Sequence, residues 1–315
     1  KFALLNSTVS DRLKKVAEQD RHYLAHEYFN KDWHPMYFAT MSQWLSPAKI
    51  SFACSANYLD YLDEVNLTSE QQTMLKGITD NSFKESVRDF MVNQQFRKDY
   101  WVKGARRLTL LEQAETMRQQ RFVLVSFRED VALKLNGSLG EANLSVVFYK
   151  QLHALMADQK TRSLAQIEQS IAGSAINFSQ ILQAVIVMCG AGHLVQVQDD
   201  HLVAKAKKRT DKLNSFLLNK ARSSNETSFL ASPVTGGGIL LDRFQQLFLL
   251  ALAQGKKHSD EWAGYSWQIL STQGQKLVKG STTLETADEN LAELKLQASR
   301  FAERHLPIVK ALQIT

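Results

Sequence analysis

The sequence predicts a predominantly α-helical α+β protein in two parts, a small mixed N-terminal module and a larger helical, winged-helix-like C-terminal module. Three observations carry that expectation. Only four prolines, Pro35, Pro47, Pro233 and Pro307, interrupt 315 residues, so long stretches escape the residue that breaks helices most strongly. Apolar residues recur three and four apart over most of the chain, whereas alternation is confined to short runs. A chain of this length, 44% apolar and 22% charged, exceeds what one core usually holds.

Leu13, Val16, Tyr23 and Leu24, set among Lys14, Lys15, Glu18 and Asp20, predict a helix from Ser10 toward His26. Trp33 to Leu45 carries Trp33, Met36, Tyr37, Phe38, Met41 and Trp44, which predicts a second helix packed on two sides after Pro35 and stopped by Pro47. Lys49 to Ala56 alternates and reads as a strand. Thr68 with Gln71, and Ser82 with Glu85, have the spacing of capping boxes, each opening a helix. In the second, Phe83, Val87, Phe90 and Met91 form the apolar stripe, leaving Lys84, Glu85, Arg88 and Asp89 to face water as far as Gln95.

From Phe96 to Leu133 the pattern shortens to strand-like FRKDYWVKG, RFVLVSF and VALKLNG around a helical LLEQAETMRQQ. Gly137 and Gly140 supply a turn, and the expected boundary separates residues 1–137 from 138–315. Helices follow at Leu144 to Ala157, Ser163 to Ile171 and Phe178 to Cys189, then a strand at His193 to Val197, an extra helix at Lys205 to Leu218 and the glycine-bent FLASPVTGGGILL. Three helices and a hairpin are the order of a winged helix. Leu240 to Ala253 is apolar nearly all round and should be central to a core. Thr282 with Glu285 caps a last helix whose seam is Leu284, Ala287, Leu291, Leu294, Ala298 and Phe301.

Several function classes lack their chemistry here. A net charge of +6 is modest for this length. No apolar run approaches the roughly 20 residues of a membrane span, and no signal-peptide pattern opens the chain, so a soluble protein is expected. Cys54 and Cys189 sit among apolar neighbours and read as reduced core thiols in a reducing cytoplasm, with a single disulfide as the alternative. His22 and His26, four apart near Glu27, Asp32 and His34, could share a helix face, but the metalloprotease order is missing and no metal site is assigned. Gly137 to Gly140 and Gly236 to Gly238 are the candidate glycine clusters. Neither lies between a buried strand and a helix start, the setting a nucleotide or adenosyl group requires. No catalytic or cofactor-binding residue is assigned.

Two basic stretches stand out, Arg97, Lys98, Lys103, Arg106 and Arg107 around Tyr100 and Trp101, and Lys205, Lys207, Lys208, Arg209 and Lys212. Aromatics among cations can grip an acidic partner or stack on bases. Arg97, Lys98, Tyr100, Trp101 and Lys103 are the candidate interaction surface. The alternative, a winged-helix nucleic-acid-binding protein, is disfavoured because FSQILQAVIVMC, where a recognition helix would lie, carries no Arg or Lys.

His26-Glu27-Tyr28-Phe29-Asn30, the Trp33, Pro35, Tyr37 and Phe38 stretch, Leu45 to Ala56, and above all Asp89-Phe90 followed by Asn93, Phe96 and Arg97 resemble the regulatory domain that follows the catalytic domain in bacterial protein-lysine methyltransferase-like proteins. The resemblance covers about Ser10 to Arg107 and continues more loosely to the end. Gln94 and Gln95 stand where that family often has an Arg after the Asn. The sequence also opens at Lys1, not at a methionine, inside a continuing amphipathic pattern. The resemblance implies a parent polypeptide with an S-adenosylmethionine-binding domain upstream of Lys1, this chain being a non-catalytic regulatory or substrate-docking portion. The partners it implies are that upstream domain, a protein substrate and a second copy in a homodimer.

Overall fold

A computed structural model describes residues 7–130, 134–143, 146–172 and 176–314. Helix accounts for 57% of it and the strands make only small sheets, so the fold class is α+β, predominantly α. Packing divides the chain into two units, residues 1–54 with 69–105, and residues 55–68 with 106–315. The expected boundary after Gly137 falls inside the second unit. The turn there is no linker: the Ser138 amide donates to Asn66 Oδ1 at 3.0 Å and the Leu139 amide to the Val65 carbonyl at 3.1 Å. Gly137 lies so close to Val65 that an added Cβ would stand 2.1 Å from its carbonyl oxygen.

In the first unit, α1 (Ser7–Ala17) and α2 (Arg21–Tyr28) replace the single helix expected from Ser10 to His26. Asp20 divides them, because its carboxylate accepts the His22 and Tyr23 amides and so caps α2. Helix α3 (Phe38–Leu45) starts after Pro35, as expected; Trp33 to Tyr37 stay outside it, consistent with the restriction Pro35 places on the residue before it. Strand β1 (Ile50–Ser55) forms where alternation predicted it and pairs with β2 (Asp99–Lys103). Helix α4 (Ser69–Lys76) opens directly after Thr68. Helix α5 (Asn81–Val92) is capped by Asp80, which accepts the Phe83 amide at 2.6 Å, so the expected cap at Ser82 lies within the helix.

The second unit holds two large apolar cores and a small third cluster of Ala221, Leu247 and Ile269. One gathers Leu124, Leu152, Met156, Leu164, Ile167, Ile181, Val185, Met188 and Leu194. Its elements are α6 (Leu110–Gln119), β3 (Arg121–Leu124), the hairpin β4 (Lys134–Gly137) and β5 (Gly140–Asn143), α7 (Val146–Met156), β6 (Arg162–Ser163), α8 (Leu164–Ser170), α9 (Phe178–Gly190) and β7 (Leu194–Gln196). The expected strand start at Val131 to Leu133 and the expected helix start at Leu144 lie outside the described residues.

Strand β3 is central in the order β6-β3-β7, all antiparallel, with Val123 opposite Val195. Strands β8 (Phe229–Ala231) and β9 (Gly238–Leu240) form a separate two-stranded sheet, beyond α10 (Asp200–Lys220). The winged-helix order read from the sequence therefore rests on strands that do not join: β7 pairs with a strand preceding the three helices, not with the glycine-bent hairpin.

The other core gathers Leu230, Leu241, Phe248, Leu249, Trp262, Leu294, Ala298, Phe301 and Val309 from β8, α11 (Arg243–Ala253), α12 (Ser259–Thr272), α13 (Ala287–Arg300) and α14 (Leu306–Ala311). Leu247 to Ala251 are buried in succession, as the all-round apolar pattern required, whereas Leu240 belongs to β9 and is exposed. Thr286 and Glu289 make the capping box of α13; Thr282 and Thr283 instead form β11, paired with β10 (Val278–Lys279). Between α13 and α14, Phe301–His305 is a π-helical turn. The ring of Phe301 sits 5.8 Å from Phe248 and 6.3 Å from Trp262.

Both cysteines are free. Burial pushes the Cys189 thiol up to about 12, as a core thiol requires. Cys54 corrects the reading of two core thiols, for it is exposed on β1.

An aromatic cleft built on an arginine cluster

The first unit is organised by one turn. Helix α5 ends at Asn93, whose φ of 53° is left-handed, a conformation Asn tolerates better than most residues. The Gln94 amide closes on the Asp89 carbonyl at 2.9 Å, and the chain reverses. Reversal brings Arg97 back alongside the helix it has just left. Its Nη1 donates to Asp89 Oδ1 at 2.6 Å, its Nη2 to Glu85 Oε2 at 2.9 Å, and its Nε to Asp99 Oδ2 at 2.8 Å. The guanidinium also lies over the Phe38 ring, 4.5 Å from its centroid, and 5.4 Å from that of Phe52. Trp101 stacks on Phe38 at 5.4 Å and meets Phe52 edge-on at 5.6 Å.

This cluster turns α5 inside out relative to its hydrophobic pattern. Glu85 and Arg88, expected to face water, are each 8% exposed, while Phe83 and Phe90, expected in the core, are 59% and 70% exposed. A half-buried cation with three carboxylates outcompetes two rings for the inner face, since leaving Arg97 desolvated and unpaired would cost more than wetting the rings. Burial raises the Asp89 pKa above its ordinary range, with Arg97 pulling the other way. Burial opposes charge on Arg97 as well, but its hydrogen bonds to Asp99 and Glu85 hold its pKa above the ordinary value.

Beside the cluster lies a cleft of about 730 Å³. Trp33, Tyr37, Phe90 and Phe96 contribute rings to its lining, Asp89 and Arg97 its charges, and Arg12, bonded to Gln95 at 2.8 Å, adds a further cation. Tyr37 and Phe90 stand 5.7 Å apart, centroid to centroid. Such a cleft can bind a side chain with an apolar stem and a polar tip.

The candidate surface read from the sequence divides between the two faces of β2 and the turn before it. Arg97 and Trp101 belong to the packed cluster, whereas Lys98, Tyr100 and Lys103 are exposed. Glu85, Asp89 and Asp99 were not anticipated as Arg97's partners. The available signal was Asn93 midway between Asp89 and Arg97, a residue suited to the left-handed turn that returns one to the other.

Elsewhere, no group of three or more His, Cys, Asp or Glu among the described residues is placed to hold a metal ion. Lys205, Lys208, Arg209 and Lys212 are exposed along α10, and Lys207 pairs with Asp211. Helix α9 buries Ile181, Ala184, Val185, Val187 and Met188. No helix among the described residues is long and apolar enough to cross a membrane. The glycine clusters lie in the β4–β5 and β8–β9 hairpins, not at a strand-to-helix turn.

Residues 20–103, which include most of the unit that holds the cleft, match the family model described as a predicted methyltransferase regulatory domain, and this stretch carries that domain. An uncharacterized protein of Synechocystis sp. is 37% identical over 310 residues, covering 98% of this chain and 60% of its own length. The fold is similar to that of PKMT2 from Rickettsia typhi, solved alone (TM-score 0.59, 12% identity, 98% of this chain) and in complex with AdoHcy (TM-score 0.58, 11% identity, 100% of this chain). In both, the match spans 64% of the PKMT2 chain. The chain thus spans less than two thirds of the length of these relatives.

Proposed function

We propose that this chain is the non-catalytic, substrate-docking portion of an S-adenosylmethionine-dependent methyltransferase that modifies lysine side chains of proteins. The observation that supports this reading most is the coincidence of the matched regulatory domain, residues 20–103, with the unit whose aromatic side chains are turned outward around a cleft. Exposed rings that no internal packing uses mark a surface for a partner. Methyl transfer belongs to the remaining length of the parent polypeptide, which contributes the cofactor site, and the protein acceptor is held here. Docking of this kind acts on acceptor affinity and leaves the chemical step alone.

The test is methyl transfer from labelled S-adenosylmethionine to protein acceptors by the parent polypeptide, unaltered and as Phe90→Ala. Phe90 is exposed, so the fold tolerates its truncation. The substitution is expected to raise KM for the acceptor roughly fivefold or more while kcat stays within about twofold, since a ring at an interface centre is worth about 1 kcal/mol or more. Unchanged KM would remove the docking role, and absence of any methyl transfer would remove the methyltransferase reading.

A further inference from the structure

The cleft combines open ring faces with a carboxylate that is only half engaged. Asp89 gives Oδ1 to Arg97, and no described residue donates to its Oδ2. Arg97 is poorly placed to receive an incoming anion, because its Nε, Nη1 and Nη2 already donate to Asp99, Asp89 and Glu85 and its plane lies over Phe38. Arg12, the other cation of the lining, is exposed and donates to Gln95. The inner rings already hold a cation, since the Arg97 guanidinium lies over Phe38 and beside Phe52. The outer rings, Trp33, Tyr37, Phe90 and Phe96, are all more than half exposed.

A cation with an apolar skin fits these two features together. Ring faces attract positive charge, most effectively when the cation surrenders little hydration. An unmodified ammonium is strongly hydrated and brings three N–H donors to a site with one free carboxylate oxygen. Methylation removes donors and spreads the charge over carbon. A trimethylammonium has no N–H left for Asp89 Oδ2, whereas a dimethylammonium keeps one and presents its methyl groups to the rings. The volume, about 730 Å³, accommodates such a side chain with its neighbouring peptide.

We infer that the cleft binds a mono- or dimethylated lysine side chain, with the remaining N–H donated to Asp89 Oδ2 and the methyl groups set against Tyr37, Phe90 and the other open rings. The inference rests on the lysine-docking reading given above and deepens it, because the ligand is the product of that transfer. A site for the product on the docking portion would hold a modified protein for further rounds.

The test is calorimetric titration of this chain with four copies of one short peptide, its central lysine unmodified or carrying one, two or three methyl groups. The dimethyl peptide is expected to bind at least fivefold more tightly than the unmodified one and more tightly than the trimethyl one. Phe90→Ala and Phe96→Ala, both at exposed rings, should each weaken it at least fivefold. Asp89→Asn should erase the preference for dimethyl over trimethyl. Equal affinity for unmodified and dimethyl peptides, indifference to both ring substitutions, or no binding at millimolar peptide would each overturn the inference. These outcomes are separable from the transfer assay. Failure here with transfer that depends on Phe90 leaves the docking role standing, and selective binding here without transfer leaves the methyl-lysine site standing.

Discussion

Arg97 joins the end of α5, the start of β2 and the face of Phe38 through a single side chain. Removing it leaves three carboxylates converging without their common cation, two of them on one helix four residues apart. Arg97→Ala is therefore expected to destabilise the first unit by about 3 kcal/mol, the scale for breaking a buried ion pair by deleting one partner. Arg97→Lys should recover only part of this, since a point charge on a flexible stem cannot hold three carboxylates and stack on a ring as a planar guanidinium does. Denaturant unfolding of both variants is the measurement, and a loss below about 1 kcal/mol for Arg97→Ala would mean the cluster is a surface network of ordinary strength. The same residue shows where reading the sequence falls short. Arg97 was recognised as significant, but as a surface cation, because proximity across a left-handed turn is not visible in one-dimensional spacing.

At the scale of elements, periodicity placed most helices and strands yet misassigned the exposed side of α5. Hydrophobic spacing identifies two faces of a helix and decides which is buried only when nothing stronger competes. Here the ion cluster competed and prevailed. Capping followed the same logic: Thr286 and Asp80 cap their helices a few residues from Thr282 and Ser82, the positions the pattern singled out, because nearby hydroxyls and carboxylates offer alternative caps of similar strength. Helix α12 shows only a weak stripe in the sequence, since Trp262, Ala263, Ile269 and Leu270 are buried among Ser, Gly and Gln residues that blunt it.

The π-helical turn at Phe301–His305 has a consequence for acid stability. His305 stacks on Phe301 at 6.1 Å, and its Nδ1 is buried without a hydrogen-bond partner. Burial lowers its pKa, with Arg304 acting in the same direction and Asp242 and Asp130 in the other. Because the unfolded chain takes up this proton more readily, stability is complete above the ordinary histidine value near 6.5 and falls as pH drops through and below it. Thermal unfolding between pH 7.5 and 5 should show this decline, and His305→Phe, which keeps a ring on Phe301, should flatten part of it. An identical decline in the variant would assign the effect elsewhere, with His193, whose pKa burial also lowers, the next group to test.

For the whole molecule, the family resemblance was legible in the N-terminal hundred residues and the topology of the remainder was not. Asp89-Phe90, Asn93, Phe96 and Arg97 carried the family, and the structure supplies a physical reason: they are the turn, the ion cluster and the cleft wall. The C-terminal helices were foreseen as helices, but which strand would pair with β7 depended on contacts some 70 residues apart. Glycine clusters confined to hairpins lead to a further expectation, that calorimetry will detect no S-adenosylmethionine binding to these 315 residues alone. Measurable affinity at micromolar cofactor would contradict the division of labour proposed here.

The unequal surroundings of the two cysteines offer a practical handle. With Cys189 held protonated by its burial, a maleimide dye at neutral pH should attach at Cys54 alone, on the strand that also carries Phe52. One fluorophore per molecule, a few residues from the ring that helps cradle Arg97, would report cleft occupancy in solution without any engineered site.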